Sequence, residues 1–193
     1  MTISRYVTVP NVLTASRLVL LPVVWVFALL RMEIPFVISY ALLGLTDLFD
    51  GLAARRLHQS SEFGKALDAV ADLAYYVSSA FFMAWLHMPY LKPNLLLLYI
   101  FFGELALSFV VSTIRCGKPL LMHTFLLRLV AVLVYFAVIL SSFVDTTVFV
   151  TVIIAIYLLG FTEEILIFLI HGEVDPDSTS IFRVKPKPKP KRS

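Results

Sequence analysis

Asp47-Leu48-Phe49-Asp50-Gly51-Leu52-Ala53-Ala54-Arg55, an eight-residue gap, and then Gly64-Lys65-Ala66-Leu67-Asp68-Ala69-Val70-Ala71-Asp72 is the stretch that decides how this chain reads. Four aspartates stand in or beside strongly apolar surroundings. A carboxylate placed in hydrocarbon is costly, so such residues mark a functional site by default. Asp47 and Asp50 are three apart and Asp68 and Asp72 four apart, so each pair shares a helix face. Two helices presenting such pairs to each other build an all-oxygen cage, which suits a hard divalent cation such as Mg²⁺ or Mn²⁺.

Working outward, the surroundings are those of a bilayer. Of 193 residues, 60% are hydrophobic, and the mean hydropathy is +0.90, too apolar for an ordinary soluble domain. The fold class expected is all-α and integral to the membrane. Six transmembrane helices are predicted, at 13–30, 34–57, 63–86, 94–114, 124–144 and 147–170, each near the ~20 residues a span needs. The breaks carry turn and polar residues: Arg31-Met32-Glu33, His58 to Ser61, Pro89 and Pro93, Cys116 to Pro119, and Asp145. A short interfacial N-terminal helix, Val9 to Arg17, is expected before the first span, started by Pro10 and Asn11. No cleavage site follows the first apolar run, so it reads as a retained span. The single cysteine, Cys116, allows no internal disulfide.

Charge placement sets an orientation. With the N-terminus in the cytoplasm, only Arg31 and Lys92 of the sixteen Lys and Arg fall on the far side. Both termini and the aspartates then face the cytoplasm, and the catalytic machinery sits at one end of a bundle formed by residues 1–172. Residues 173–193 read as a basic cytoplasmic tail. Alternating Lys and Pro there favour an extended, unpacked chain, solvated or lying along anionic headgroups.

The eight fixed positions of the opening stretch match D-x2-D-G-x2-A-R-x8-G-x3-D-x3-D, including the gap. The chain thereby resembles the CDP-alcohol phosphotransferase (CDP-alcohol phosphatidyltransferase) family, and the general layout of spans extends that resemblance over most of the chain. The resemblance implies a membrane transferase of phospholipid biosynthesis. Its donor is CDP-diacylglycerol (or an ether-lipid analogue) and its acceptor a polar alcohol, with release of CMP. It implies that Asp47, Asp50, Asp68 and Asp72 ligate metal, two Mg²⁺ or Mn²⁺ ions, and that Asp72 is also the catalytic base. Crowded carboxylates resist full ionisation without cations, which agrees with a metal requirement. Cytidine nucleotide is implied at Asp47, Gly51, Ala54, Arg55 and Gly64, where missing side chains let a flat base and ribose approach the backbone. Arg55 offers a fork of donors to phosphate, or anchors a helix end at the interface. A homodimer is implied by resemblance alone, and nucleic acid is not expected as a partner.

The acceptor is less sharply marked. Pro10-Asn11-Val12-Leu13-Thr14-Ala15-Ser16-Arg17 looks like the start of the phosphatidylglycerophosphate-synthase branch, which implies glycerol 3-phosphate. That branch usually carries a proline after the third aspartate and a basic residue after the fourth, where this chain has Ala69 and Leu73. Inositol phosphate, serine and choline stay open as acceptors. Arg115, Lys118 and Arg128 are the candidates for an acceptor phosphate, against the plain alternative that cytoplasmic loops are basic anyway. Tyr75 and Tyr76 either face a cationic headgroup or belong to helix packing. The four histidines show no zinc spacing. From a different class, a divalent-cation transporter would also place carboxylates in a membrane, and Glu104, Glu163 and Glu164 would serve it. An ion path gives no reason for the fixed small residues. One of Glu163 and Glu164 is expected to pair with a basic side chain from another helix.

Overall fold

The computed structural model describes residues 8–56, 62–117, 119–120, 122, 124–172, 174–175 and 178–184. Among them there are helices and no strands. They are α1 (Val9–Leu29), α2 (Glu33–Arg56), α3 (Glu62–Leu86), the single turn α4 (Met88–Leu91), α5 (Leu95–Cys116), α6 (Phe125–Leu140) and α7 (Thr147–His171). Short 3-10 turns cover Lys92–Asn94 and Ile181–Arg183. A helix overlaps each of the six expected segments, though α6 stops at Leu140, short of the expected 144. Four stretches, Asn11–Leu29, Ala66–Leu86, Met88–Cys116 and Thr147–His171, are long and apolar enough to cross a membrane, and Glu33–Thr46 and Phe125–Leu140 are shorter apolar helices. Val19, Ile34, Leu96, Ile114 and Val148 are each more than 70% exposed. Such broad outward apolar surface would be a liability in water and fits lipid.

The lead-in is not a separate helix. Thr8 caps α1, its Oγ1 accepting the Asn11 N–H at 3.4 Å, and Pro10 sits in the first turn, where its missing N–H costs nothing. The helix then runs unbroken to Leu29 across Pro22. It ends in a Schellman turn: Met32 N–H donates to Phe27 O at 2.9 Å, and Arg31 takes φ +53°.

The chain divides into two compact units, residues 1–88 with 138–144, and residues 89–137 with 145–193. In the first unit α1 presents Asn11, Thr14, Arg17, Leu21, Val24 and Ala28 as one buried stripe at three- and four-residue spacing. Trp25 Nε1 donates to Ser78 Oγ at 2.9 Å, and its ring stacks on Phe81, so α1 runs parallel to α3. Phe36 packs edge-on to Phe82, and Tyr40 OH bonds Ser79 Oγ at 2.8 Å, so α2 runs antiparallel to α3. Tyr75 stacks on Tyr40 and donates to its carbonyl at 3.2 Å, which makes it a packing residue.

In the second unit α5 and α7 run parallel. Buried Asn94 donates to Thr147 O at 3.1 Å and accepts the Thr151 hydroxyl at 2.6 Å. Gly160 lets α6 approach α7, since a Cβ there would lie 3.0 Å from Leu127 Cδ2. The segment after α7, expected as unpacked tail from residue 173, folds back in its described part. Val174 is buried in a cluster with Met122, Ile167 and Phe168, and Ile181 and Val184 pack against it. The physical reason is that 174–184 still carries apolar side chains, whereas the Lys-Pro repeats begin only at Lys185.

Candidate active site

The polar end of the first unit is built from three helices. On α1, Arg17 lies one turn beyond Thr14 on the buried stripe and is only 3% exposed. Its Nη2 donates to Asp68 Oδ1 at 2.6 Å and its Nη1 to Asp72 Oδ1 at 2.9 Å. The two carboxylates, one turn apart on α3, are 45% and 38% exposed. The expected shared face of Asp68 and Asp72 is therefore real, because a single guanidinium reaches both. Bonds of this kind, charged at both ends, are the stronger class of hydrogen bond. Arg17 was not singled out from sequence. Its signal lay in being the lone charge of a 21-residue, mostly apolar helix, three residues after Thr14 and six after Asn11.

Asp68 and Asp72 supply oxygen donors, the type a hard cation takes. Two acceptor-only oxygens converge within bonding distance of one positive group, and both carboxylates keep an open side. Among the described residues no group of three or more His, Cys, Asp or Glu gathers to hold a metal. Asp47, Asp50, Gly51, Ala54 and Arg55 lie on the last turns of α2, but their side chains fall outside the described residues. The pairs Phe36–Phe82 and Tyr40–Ser79 show that α2 runs antiparallel to α3, so its last turns lie toward the end of α3 that carries Asp68 and Asp72. Gly64 lies in the first turn of α3.

The basic candidates belong to the second unit. Arg115 donates from Nε to Phe168 O at 3.3 Å and from Nη2 to Leu169 O at 2.7 Å. It caps the carbonyl end of α7, where a cation also meets the helix dipole favourably. Arg128 is exposed in the first turn of α6, and Lys118 lies outside the described residues. Glu164 is fully buried, and its partners are neutral rather than basic: Oε1 accepts the Ser108 hydroxyl at 2.6 Å and Oε2 the Met122 N–H at 3.2 Å. Glu163 accepts the Ile181 N–H at 2.9 Å, and Glu104 the Thr162 hydroxyl at 3.5 Å. Glu163 and Glu164 thus fasten two chain segments onto α7. His87 meets Ser142 across the first unit at 3.4 Å.

A family model described as CDP-alcohol phosphatidyltransferase matches residues 7–171. The chain belongs to the CDP-alcohol phosphatidyltransferase family. Among curated relatives, it is 40% identical over 67 residues to a CDP-diacylglycerol–glycerol-3-phosphate 3-phosphatidyltransferase of Aquifex aeolicus, covering 35% of this chain and 38% of that one. It is 36% identical over 101 residues to a CMP-forming cardiolipin synthase of Streptomyces coelicolor, covering 49% of this chain and 46% of that one. The Escherichia coli K12 CDP-diacylglycerol–glycerol-3-phosphate 3-phosphatidyltransferase is 43% identical over 67 residues, 33% of this chain and 37% of that one. The chain therefore spans less than half the length of these relatives. No solved structure matches it significantly.

Proposed function

We propose that this family member is an integral membrane phosphatidyltransferase that moves the phosphatidyl group of CDP-diacylglycerol to glycerol 3-phosphate and releases CMP. The observation that supports the reading is the convergence of Asp68 and Asp72 on one cation, the Arg17 guanidinium. Asp47, Asp50, Asp68 and Asp72 would hold two Mg²⁺ or Mn²⁺ ions, which would supply charge neutralisation on the diphosphate. Asp72 takes the proton of the acceptor hydroxyl. That oxygen forms a bond to the lipid-side phosphorus, the bond from this phosphorus to the bridging oxygen breaks, and the bridging oxygen leaves with CMP. Gly51, Ala54 and Gly64 leave room for cytidine and ribose, and Arg55 binds phosphate. Arg115, Lys118 and Arg128 hold the acceptor's phosphate.

The six helices α1, α2, α3, α5, α6 and α7 all cross the bilayer in this reading. The two short apolar helices do so with their polar ends at the headgroups, and the acidic end faces the cytoplasm beside both termini. Lipid tails enter sideways from the bilayer, and the polar substrates arrive from the cytoplasm. The working form is a homodimer in the cytoplasmic membrane.

The Streptomyces coelicolor relative favours a second reading, CMP-forming synthesis of cardiolipin. One experiment separates these possibilities. The purified protein is incubated with CDP-diacylglycerol, Mg²⁺ or Mn²⁺ and a panel of alcohols including glycerol 3-phosphate, inositol phosphate, serine, choline and phosphatidylglycerol, and the lipid product is weighed by mass spectrometry. Phosphatidylglycerophosphate is the product expected. Cardiolipin would replace the first reading with the second. Metal uptake into vesicles with no CMP released would place the chain among carriers and contradict both.

A further inference from the structure

Among the described residues, Arg17 is the most buried charged group of the first unit that the assigned chemistry does not use. It comes from α1, a helix that carries none of the four aspartates. Its burial is nearly complete while both carboxylates are half open, so the cation lies beneath them and the accessible side is theirs. It takes one oxygen from each. Two carboxylates held a turn apart repel each other, and a positive charge bonded to both offsets that repulsion and keeps them gathered. A buried arginine in turn needs anionic partners to offset its lost hydration.

Resting on the reading of the acidic site given above, we propose that Arg17 is the standing counter-cation of the Asp68/Asp72 pair. As a positioning residue, it keeps the two carboxylates converged when no divalent ion is bound, and it competes with that ion for their charge. The geometry requires competition rather than simple support. The guanidinium already occupies the Oδ1 atom of both carboxylates, and its charge repels any second cation brought to the same pair. By linkage, whatever the ion loses in affinity through Arg17 is the measure of what Arg17 contributes without it. The Asp68/Asp72 pair is thus gathered in advance in this chain, and ion binding is held weak enough to exchange.

The test uses the full-length protein in detergent micelles, with Mn²⁺ as the probe. Its binding is followed by paramagnetic resonance of the free ion, and unfolding is followed by tryptophan fluorescence. Arg17→Gln should bind Mn²⁺ about tenfold more tightly than the unaltered protein, as removal of a competing charge requires. It should also unfold at lower temperature in chelator and recover with Mn²⁺. Arg17→Lys, which keeps the charge, should bind Mn²⁺ like the unaltered protein. Equal or weaker Mn²⁺ binding by Arg17→Gln would overturn the proposal, since it would make Arg17 a support of the ion rather than its rival. An Arg17→Gln protein that unfolds with or without Mn²⁺ would also overturn it, leaving Arg17 a purely structural role. An unaltered protein that binds no Mn²⁺ would defeat the reading of the acidic site itself, and this inference with it.

Discussion

The Ser108 hydroxyl on α5 donates to Glu164 on α7 at 2.6 Å, and the acid's other oxygen takes the Met122 N–H from the connection between α5 and α6. One fully buried carboxyl therefore fixes a helix pair and a loop at once. The same side chain would look like an ion-path residue in sequence alone. Its filled hydrogen bonds give it structural work instead.

Ser108→Ala should lower stability by about 1–3 kcal/mol, the range for leaving a buried acceptor short of a donor. Glu164→Leu should cost more, because it also strands the Met122 N–H. Thermal unfolding in detergent measures both. A Ser108→Ala protein as stable as its parent would show that the bond contributes nothing net.

Arg31 occupies the left-handed region at φ +53°, the position in a Schellman turn that glycine fills best. A side chain with a Cβ costs roughly 1 kcal/mol there. Arg31→Gly should raise the unfolding temperature in micelles by a small amount. A clear fall would mean that the arginine's own contacts outweigh the backbone strain.

His87 sits in the turn between α3 and α4, and burial lowers its pKa from 6.5 while Glu33 pulls partly the other way. The folded protein then binds this proton less readily than the unfolded chain. The stability this gives is present above pH 6.5 and is lost as pH falls through 6.5 toward the lowered value. Unfolding temperature should rise with pH across that window, and His87→Gln should flatten the rise. An unchanged slope in His87→Gln would assign the pH dependence elsewhere.

Arg115 joins α5 to the last carbonyls of α7 through two donors. Because it is exposed, Arg115→Ala should cost no more than about 1 kcal/mol of stability. If it also holds the acceptor's phosphate, KM for glycerol 3-phosphate should rise at least tenfold with little change in kcat, and Arg128→Ala should do the same without the loss of stability. Unchanged KM in both would restrict these residues to capping and surface charge.

Much of this was legible in the sequence because local physics governs it. Apolar run length and the turn residues between runs located the helices, and the four-residue spacing put Asp68 beside Asp72. What escaped was non-local. Nothing near Arg17 in sequence reveals that α1 and α3 run parallel and bring it 51 and 55 residues along the chain to the two aspartates. The neutral partners of Glu164 and the capping by Arg115 depend in the same way on the parallel pairing of α5 with α7. The continuous α1 was missed for a simpler reason: a proline in the first turn starts a helix but does not separate it from the run that follows.

The sharpest test of the proposed chemistry is CMP release by Asp72→Asn, measured with CDP-diacylglycerol, glycerol 3-phosphate and Mg²⁺ at saturating concentrations. Asparagine keeps the shape and an oxygen for Arg17 but cannot take the acceptor's proton. Turnover should fall by about 10²–10⁴-fold, with CDP-diacylglycerol binding and the folded state retained. Turnover equal to that of the unaltered protein would contradict the assignment of Asp72 as the base.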